Sequence, residues 1–220
     1  MADLSTEPNH DLFPPDDFDK WAEHYDQSVR DTDRFPFTGY EQVLETIFHL
    51  SQARPGDSVL DLGTGTGNLA SMFVRNGCQV WGLDFSTKML VCARRKLPQV
   101  IFGQADLRDE WPLEFQRRYQ FIVSAYTFHH FPLAEKVRLV QRLFDEFLLP
   151  GGLVIIGDIA FDNSLEQERL SLKQGDEWED EYYWLADETL EAFQMASLQA
   201  EFTKVSSCAG VFRINKQSLR

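Results

Sequence analysis

Apolar residues along this chain follow two rhythms that take turns. Tyr40, Val43, Leu44, Ile47 and Phe48 recur at i, i+3, i+4, i+7 and i+8, a spacing that predicts an amphipathic helix. Short, nearly continuous apolar runs at 59–62, 80–83, 100–102, 119–125 and 153–156 predict strands instead, the nearly all-apolar run at 119–125 reading as a strand covered on both faces. Helical spacing returns between the strands: Leu69, Met72 and Phe73; then Met89, Leu90, Ala93 and Leu97 behind Ser86 as a cap; then Val137, Val140, Phe144 and Phe147 within 134–148. Pro55-Gly56-Asp57, Asn76-Gly77 and Pro150-Gly151-Gly152 mark the turns. Strands alternating with helices over short loops give an α/β fold, a doubly wound, mostly parallel sheet with helices on both faces.

Before this alternation, Phe18, Trp21, Ala22, Tyr25 and Val29 predict a helix opened by Asp16 or Asp17, and residues 30–38 a loop. After it, residues 161–186 break the rhythm with an acidic, aromatic stretch. A helix over about 187–197 and strands over about 200–205 and 210–214 then close the chain. Residues 1–15, polar and punctuated by proline, read as a flexible tail, and 16–220 as a single domain with a covering insertion at about 161–186.

Composition narrows the partners. With 21 basic and 35 acidic residues the net charge is -14, which disfavours a nucleic-acid surface, because such surfaces gain affinity by neutralising phosphates. Three scattered cysteines suggest neither a disulfide framework nor a zinc site, and no metal-ligand spacing is seen. The N-terminus lacks the basic and apolar regions of a signal peptide, and no apolar run reaches membrane-spanning length, so the expected location is the cytoplasm.

The chemistry centres on Val59-Leu60-Asp61-Leu62-Gly63-Thr64-Gly65-Thr66-Gly67. An apolar strand passing through alternate glycines into a helix is the pattern by which backbone comes close to a nucleotide-like cofactor. Asp61 argues against a dinucleotide, whose pyrophosphate it would repel, and for S-adenosylmethionine, whose ammonium and sulfonium it attracts. The Gly-x-Gly-x-Gly spacing also departs from the dinucleotide fingerprint Gly-x-Gly-x-x-Gly. Asp84, ending the second strand with Phe85 beside it, is placed to accept the ribose hydroxyls. Asp106 and Leu107, past the third strand, suit the adenine amino group and ring face.

Tyr126-Thr127-Phe128-His129-His130-Phe131 forms the loop after the fourth strand. His129 and His130 are the candidates for a general base there, needed if the acceptor is protonated at working pH. Trp21 and Tyr25 could close over the cofactor, and Trp21, Tyr126, Tyr182 and Tyr183 complete the candidate acceptor surface. Two further readings compete: an NAD-type oxidoreductase on a similar fold, and a non-catalytic module that only binds S-adenosylmethionine.

With these motifs in order, the chain resembles the class I S-adenosylmethionine-dependent methyltransferases from about Phe18 to Ile214. Trp21-Ala22-Glu23-His24-Tyr25-Asp26, Gly65-Thr66-Gly67-Asn68-Leu69, Tyr126-Thr127-Phe128-His129-His130 and Glu181-Tyr182-Tyr183 are similar to the YrrT-like bacterial group. The resemblance implies a seven-stranded Rossmann-like sheet with the last strand antiparallel and the cofactor across the C-terminal strand tips. It implies that Gly63, Gly65 and Gly67 lie against the methionine portion, that Asp84 holds the ribose and Asp106 the adenine amino group, and that the Ala125 backbone holds the methionine ammonium. S-adenosylhomocysteine would be the product; the family gives no acceptor, and it is the net charge that favours a small or cationic one. The Asn/Asp-Pro-Pro-Tyr pattern of many nucleic-acid amino-methyltransferases is here Ser124-Ala125-Tyr126-Thr127, in agreement with the charge.

Overall fold

The computed structural model describes residues 22, 24–29 and 34–216. The expected tail and the first part of the expected N-terminal helix, Trp21 included, lie outside the described residues. What is described of that helix is one turn, α1 (Tyr25–Ser28). The alternation follows: α2 (Tyr40–Ser51), β1 (Ser58–Leu62), α3 (Asn68–Arg75), β2 (Gln79–Asp84), α4 (Thr87–Lys96), β3 (Ile101–Gln104), β4 (Tyr119–Ala125), α5 (Leu133–Arg142) and β5 (Leu148–Phe161). The chain closes with α6 (Ser164–Gln174), β6 (Trp184–Leu185), α7 (Ala186–Met195), β7 (Leu198–Lys204) and β8 (Ala209–Lys216).

Strand order is β3-β2-β1-β4-β5-β8-β7, with β6 paired to the far end of β5. The first five strands and β6 pair in parallel, while β8 runs antiparallel to both β5 and β7. The sheet thus has eight strands rather than seven: the added β6 arises because the segment expected to interrupt the sheet returns to it at Trp184.

Strand periodicity builds two cores from one sheet. Val59, Val80, Val123, Ile155 and Val211 face one layer, where Tyr40, Val43 and Ile47 of α2, Phe73 of α3 and Leu90 of α4 cover them. Leu60, Trp81, Ile122, Val154 and Phe212 face the other, under Val140 of α5 and Phe193 of α7. Adjacent residues such as Ile122 and Val123 are both wholly buried because each sheet face has its own helices, which explains why these strands read as continuous apolar runs.

The expected caps form. Ser86 Oγ accepts from Met89 N–H at 3.2 Å, and Gly77 takes φ 83° after α3. Helix α5 is shorter than expected, passing at Leu143–Phe147 into a π-helical turn that buries Leu143, Phe144 and Phe147. Strand β5 is longer than its apolar core, running on through Asp158 to Phe161. The expected insertion holds α6, whose face is not buried, and an aromatic coil that packs on the domain. None of the described helices is long and apolar enough to cross a membrane.

Candidate functional site

All parallel strands end on the same side, where the turns after β1, β2 and β4 converge. A small cavity opens there, lined by Tyr25, Tyr40, Asp61, Gly63, Gly65 and Ala125 among others. Of the expected cofactor residues, it gathers Tyr25, Asp61, Gly63, Gly65 and Ala125. Gly67 instead faces the protein: a Cβ there would meet Leu97 Cδ1 at 3.0 Å. Its part is to let α3 sit against α4, not to line the cavity.

The glycine turn is held by the two acids that bracket it. Asp61, 1% exposed, accepts from Thr64 Oγ1 at 2.7 Å and from the Ala70 N–H at 3.1 Å, joining the strand tip to the first turn of α3. Burial pushes its carboxyl up to about 7, against the opposing pull of those hydrogen bonds. Asp84, also buried, accepts from Gly65 N–H at 2.7 Å and Ser86 N–H at 2.8 Å, which fixes it at the tip of β2. Phe85, half-buried, accepts through its carbonyl from Gln104 Nε2 at 3.1 Å.

Asp106 is drawn into a two-pronged ion pair with Arg108, Nε to Oδ1 at 2.9 Å and Nη2 to Oδ2 at 2.5 Å, while Leu107 is buried in the core beside it. An apolar side chain is thus present beside the expected adenine position, next to a carboxylate already paired with its neighbour.

Neighbouring side chains fasten the cavity wall. On α1, Asp26 accepts from Thr66 Oγ1 at 2.5 Å and Asn68 Nδ2 at 3.1 Å, and pairs with Lys96 Nζ at 2.6 Å. Asn68 Nδ2 also donates to Tyr40 Oη at 3.2 Å. These bonds clasp α1, with Tyr25, onto the glycine turn. Burial, reinforced by neighbouring Tyr40, raises the Tyr25 phenol well above its ordinary range. Tyr126 takes φ 53°, a strained backbone for a tyrosine, and its ring stacks on Tyr40 at 5.2 Å.

The expected acceptor end lies along the same loop. His129, 7% exposed, places Nδ1 2.6 Å from Asp158 Oδ1, and its N–H donates to Asp158 Oδ2 at 2.9 Å. Asp158 is wholly buried, and also accepts from Trp184 Nε1 at 3.1 Å and Ile159 N–H at 2.8 Å. Burial opposes its charge, yet His129 and Lys136 hold its carboxyl below the ordinary range. Glu181 lies 3.8 Å from His129 Nε2 and 3.8 Å from His130 Nδ1. Lys136, 1% exposed on α5, donates to the Tyr182 carbonyl and stands 4.2 Å over the Trp184 ring; burial pulls its ammonium down to about 7.

Tyr182 keeps an exposed ring, while Tyr183 does not face the loop. Its ring is buried against Phe35 and Phe161, each at 6.0 Å, and Trp178 at 5.2 Å, and its hydroxyl donates to the Glu179 carbonyl at 2.6 Å. The packing assigns Tyr183 a structural part. His24 and His49 are exposed.

Asp26, Tyr40, Lys136 and Asp158 were not legible as site residues in the sequence. Asp158 had one signal, an acid just past the apolar run 153–156, although in the structure β5 continues through it to Phe161.

Comparison with known proteins supplies a family. A family model described as "Methyltransferase domain" matches residues 59–152. An uncharacterized methyltransferase of Geobacillus kaustophilus is 31% identical over 216 residues, 91% of this chain and 96% of that protein. The uncharacterized methyltransferase YrrT of Halobacillus halophilus is 29% identical over 210 residues, 90% and 95% of the two. Among solved structures, a DhpI-SAM-HEP complex superposes with a TM-score of 0.72 at 20% identity, covering 95% of this chain and 100% of that one. Magnesium protoporphyrin IX methyltransferase from Synechocystis with bound SAH gives 0.71 at 18%, covering 92% and 98%.

Proposed function

The chain belongs to the methyltransferase family, and from that premise we propose that it moves the methyl group of S-adenosylmethionine to a small-molecule acceptor by in-line displacement. Its cofactor is S-adenosylmethionine, which supplies a methyl group on a sulfonium sulfur that leaves as a neutral thioether. Family membership sets aside the oxidoreductase alternative.

The observation that carries the reading is the cradle around Gly65. A Cβ added there would meet no protein atom within 4 Å, while the backbone N–H is anchored on Asp84. Two carboxylates stand beside it, Asp61 in the cavity wall and Asp84 on the Gly65 N–H, acceptors suited to an ammonium and ribose hydroxyls and unsuited to a pyrophosphate. Tyr25, Gly63 and the Ala125 backbone would border the methionine portion, Asp84 the ribose with Phe85 near it, and Leu107 the adenine. Asp106 would take the adenine amino group with Arg108 remaining at its side.

Displacement at a sulfonium requires chiefly that the acceptor be held in line, so positioning is the main task of the protein. Tyr126, His129, His130 and Tyr182 would border the acceptor beyond Ala125, with Trp21 the remaining candidate. His129 and His130 are the groups there that could manage an acceptor proton. The acidic surface supports a small or cationic acceptor rather than RNA or DNA, and a cytoplasmic setting.

Thermal shift with S-adenosylmethionine, S-adenosylhomocysteine and NAD tests the cofactor: the first two should raise the melting temperature and NAD should not. Methyl transfer in an acceptor screen then tests catalysis. Binding without turnover on any acceptor would favour a binding module.

A further inference from the structure

We propose that His129, His130 and Glu181 form a site for a divalent transition-metal ion between the loop after β4 and the segment that leads into β6, with Asp158 fixing His129 from behind. One ligating atom from each of the three lies within 4.8 Å of the other two. The two oxygens of one carboxylate address two imidazoles: Oε2 is 3.8 Å from His129 Nε2, and Oε1 is 3.8 Å from His130 Nδ1. Tetrahedral bonds of about 2.0–2.1 Å set neighbouring donors roughly 3.3–3.4 Å apart, so each glutamate–histidine pair needs about half an ångström of closure and the histidine–histidine pair up to about 1.5 Å to seat an ion.

The surroundings are those of a built site. Asp158 takes the Nδ1 side of His129 at 2.6 Å and so leaves Nε2 as the nitrogen turned to Glu181, the arrangement in which a carboxylate orients a metal-bound histidine. Asp158 is itself held by Trp184 Nε1 and by two backbone N–H groups, so the imidazole is supported rigidly. The two segments that carry the ligands are joined: Tyr182 N–H donates to the His129 carbonyl at 3.0 Å, and Lys136 Nζ donates to the Tyr182 carbonyl. The His130 and Glu181 side chains retain 15% and 13% exposure, which gives an ion a way in.

Two imidazole nitrogens and one carboxylate match zinc and similar first-row divalent ions; magnesium and calcium prefer oxygen sets. Three protein ligands leave a coordination position open. An acceptor hydroxyl or thiol entering that position would ionise more readily, its proton passing to solvent and its oxygen or sulfur retaining the electron pair that takes the methyl group. That role rests on the methyltransferase reading; the binding of the ion does not. The same atoms without an ion would form a cluster in which a protonated His129 pairs with Asp158 and Glu181, and the two arrangements make opposite predictions.

The test is calorimetric titration of the chelator-treated, full-length protein with ZnCl2, magnesium chloride serving as control. The expected result is one zinc per chain in the micromolar range or tighter and no magnesium uptake. His130→Ala and Glu181→Gln should each weaken zinc at least tenfold, and Asp158→Asn by about 10- to 100-fold, the range for loss of a group that orients a ligand. Cobalt substitution gives a readout independent of activity: visible bands of a four- or five-coordinate ion, lost in Glu181→Gln, whose partly exposed side chain makes it the variant that keeps its fold. Zinc uptake unchanged in both His130→Ala and Glu181→Gln, or no uptake at 100 µM protein, would overturn the site. Titration with S-adenosylhomocysteine in the same samples separates this from the wider reading: protein that binds the cofactor product but no zinc refutes the metal site alone, and the reverse refutes the cofactor alone.

Discussion

Gly63 and Gly65 stand two residues apart in one turn, yet an added methyl group would meet different fates. At Gly63 it would lie 2.1 Å from Thr127 Oγ1, an overlap that forces the β1 and β4 turns apart. At Gly65 it would enter open space, with only the backbone penalty of φ 53°, about 1–2 kcal/mol. Gly63→Ala should therefore lower the melting temperature strongly. Gly65→Val should leave a folded protein that no longer responds to S-adenosylhomocysteine in a thermal shift. Asp84→Ala removes a charged partner and the anchor of Gly65 N–H, so calorimetry should show the cofactor product bound more weakly by about 1–3 kcal/mol.

Asp61 gives the site a pH dependence of definite sign. Its folded carboxyl is raised from 3.8 to about 7, so between those values the folded state holds more protons than the unfolded chain, and ligand-free stability falls as pH rises through that window. A cationic ligand favours the ionised carboxylate. Affinity for S-adenosylhomocysteine should then increase, by roughly tenfold between pH 6 and pH 8, and the increase should vanish in Asp61→Asn. Calorimetry in buffers of different ionisation enthalpy would detect the proton released on binding.

Elements decide what the aromatic segment does. Trp178 stacks on Phe35 at 5.2 Å, and Tyr183 meets Phe35, Phe161 and Trp178 edge-on, so the segment joins the helix-covered core instead of hanging over the cavity. Tyr183→Ala should cost about 3–5 kcal/mol of stability, the usual range for truncating a buried aromatic, with cofactor affinity near normal below the melting transition. A normal melting temperature in that variant would show the packing to be dispensable.

The regular elements could be read from the chain because local and tertiary demands agree there. Tyr40 to Phe48 carries one apolar stripe and covers one sheet face; Ser86 caps the helix it precedes. The segment 161–186 could not be read, because its aromatics serve long-range packing, and periodicity reports only neighbours within a turn or two. The site divides the same way. The Gly63–Gly65 turn with Asp61 and Asp84 is local and was legible. The grouping of His129, Asp158 and Glu181 joins positions 29 and 23 residues apart, and no spacing rule announces it. Gly67 was misplaced because the spacing of glycines does not say whether each opens space for a ligand or for a neighbouring helix.

On the scale of the whole molecule, the chain carries 35 acidic against 21 basic residues, and its cavity is lined by Asp61, with Asp84 bonded to the Gly65 N–H of the cavity wall. A gel shift at submicromolar protein and physiological salt should show no RNA or DNA retained, and retention that weakens steeply with salt would defeat the charge argument.

The clasp of Asp26 on Thr66, Asn68 and Lys96 bears on timing. One helical turn carries Tyr25 against the cavity, and a single carboxylate fastens that turn to the far wall. The Lys96 and Asp26 side chains are about one-third exposed, so dissolved salt reaches the fastening directly. Exchange of spent cofactor for fresh would then be governed by how often these few polar bonds open. Asp26→Asn should speed ligand arrival and departure together in stopped-flow fluorescence, and leave the ratio of the two rates less altered than either one.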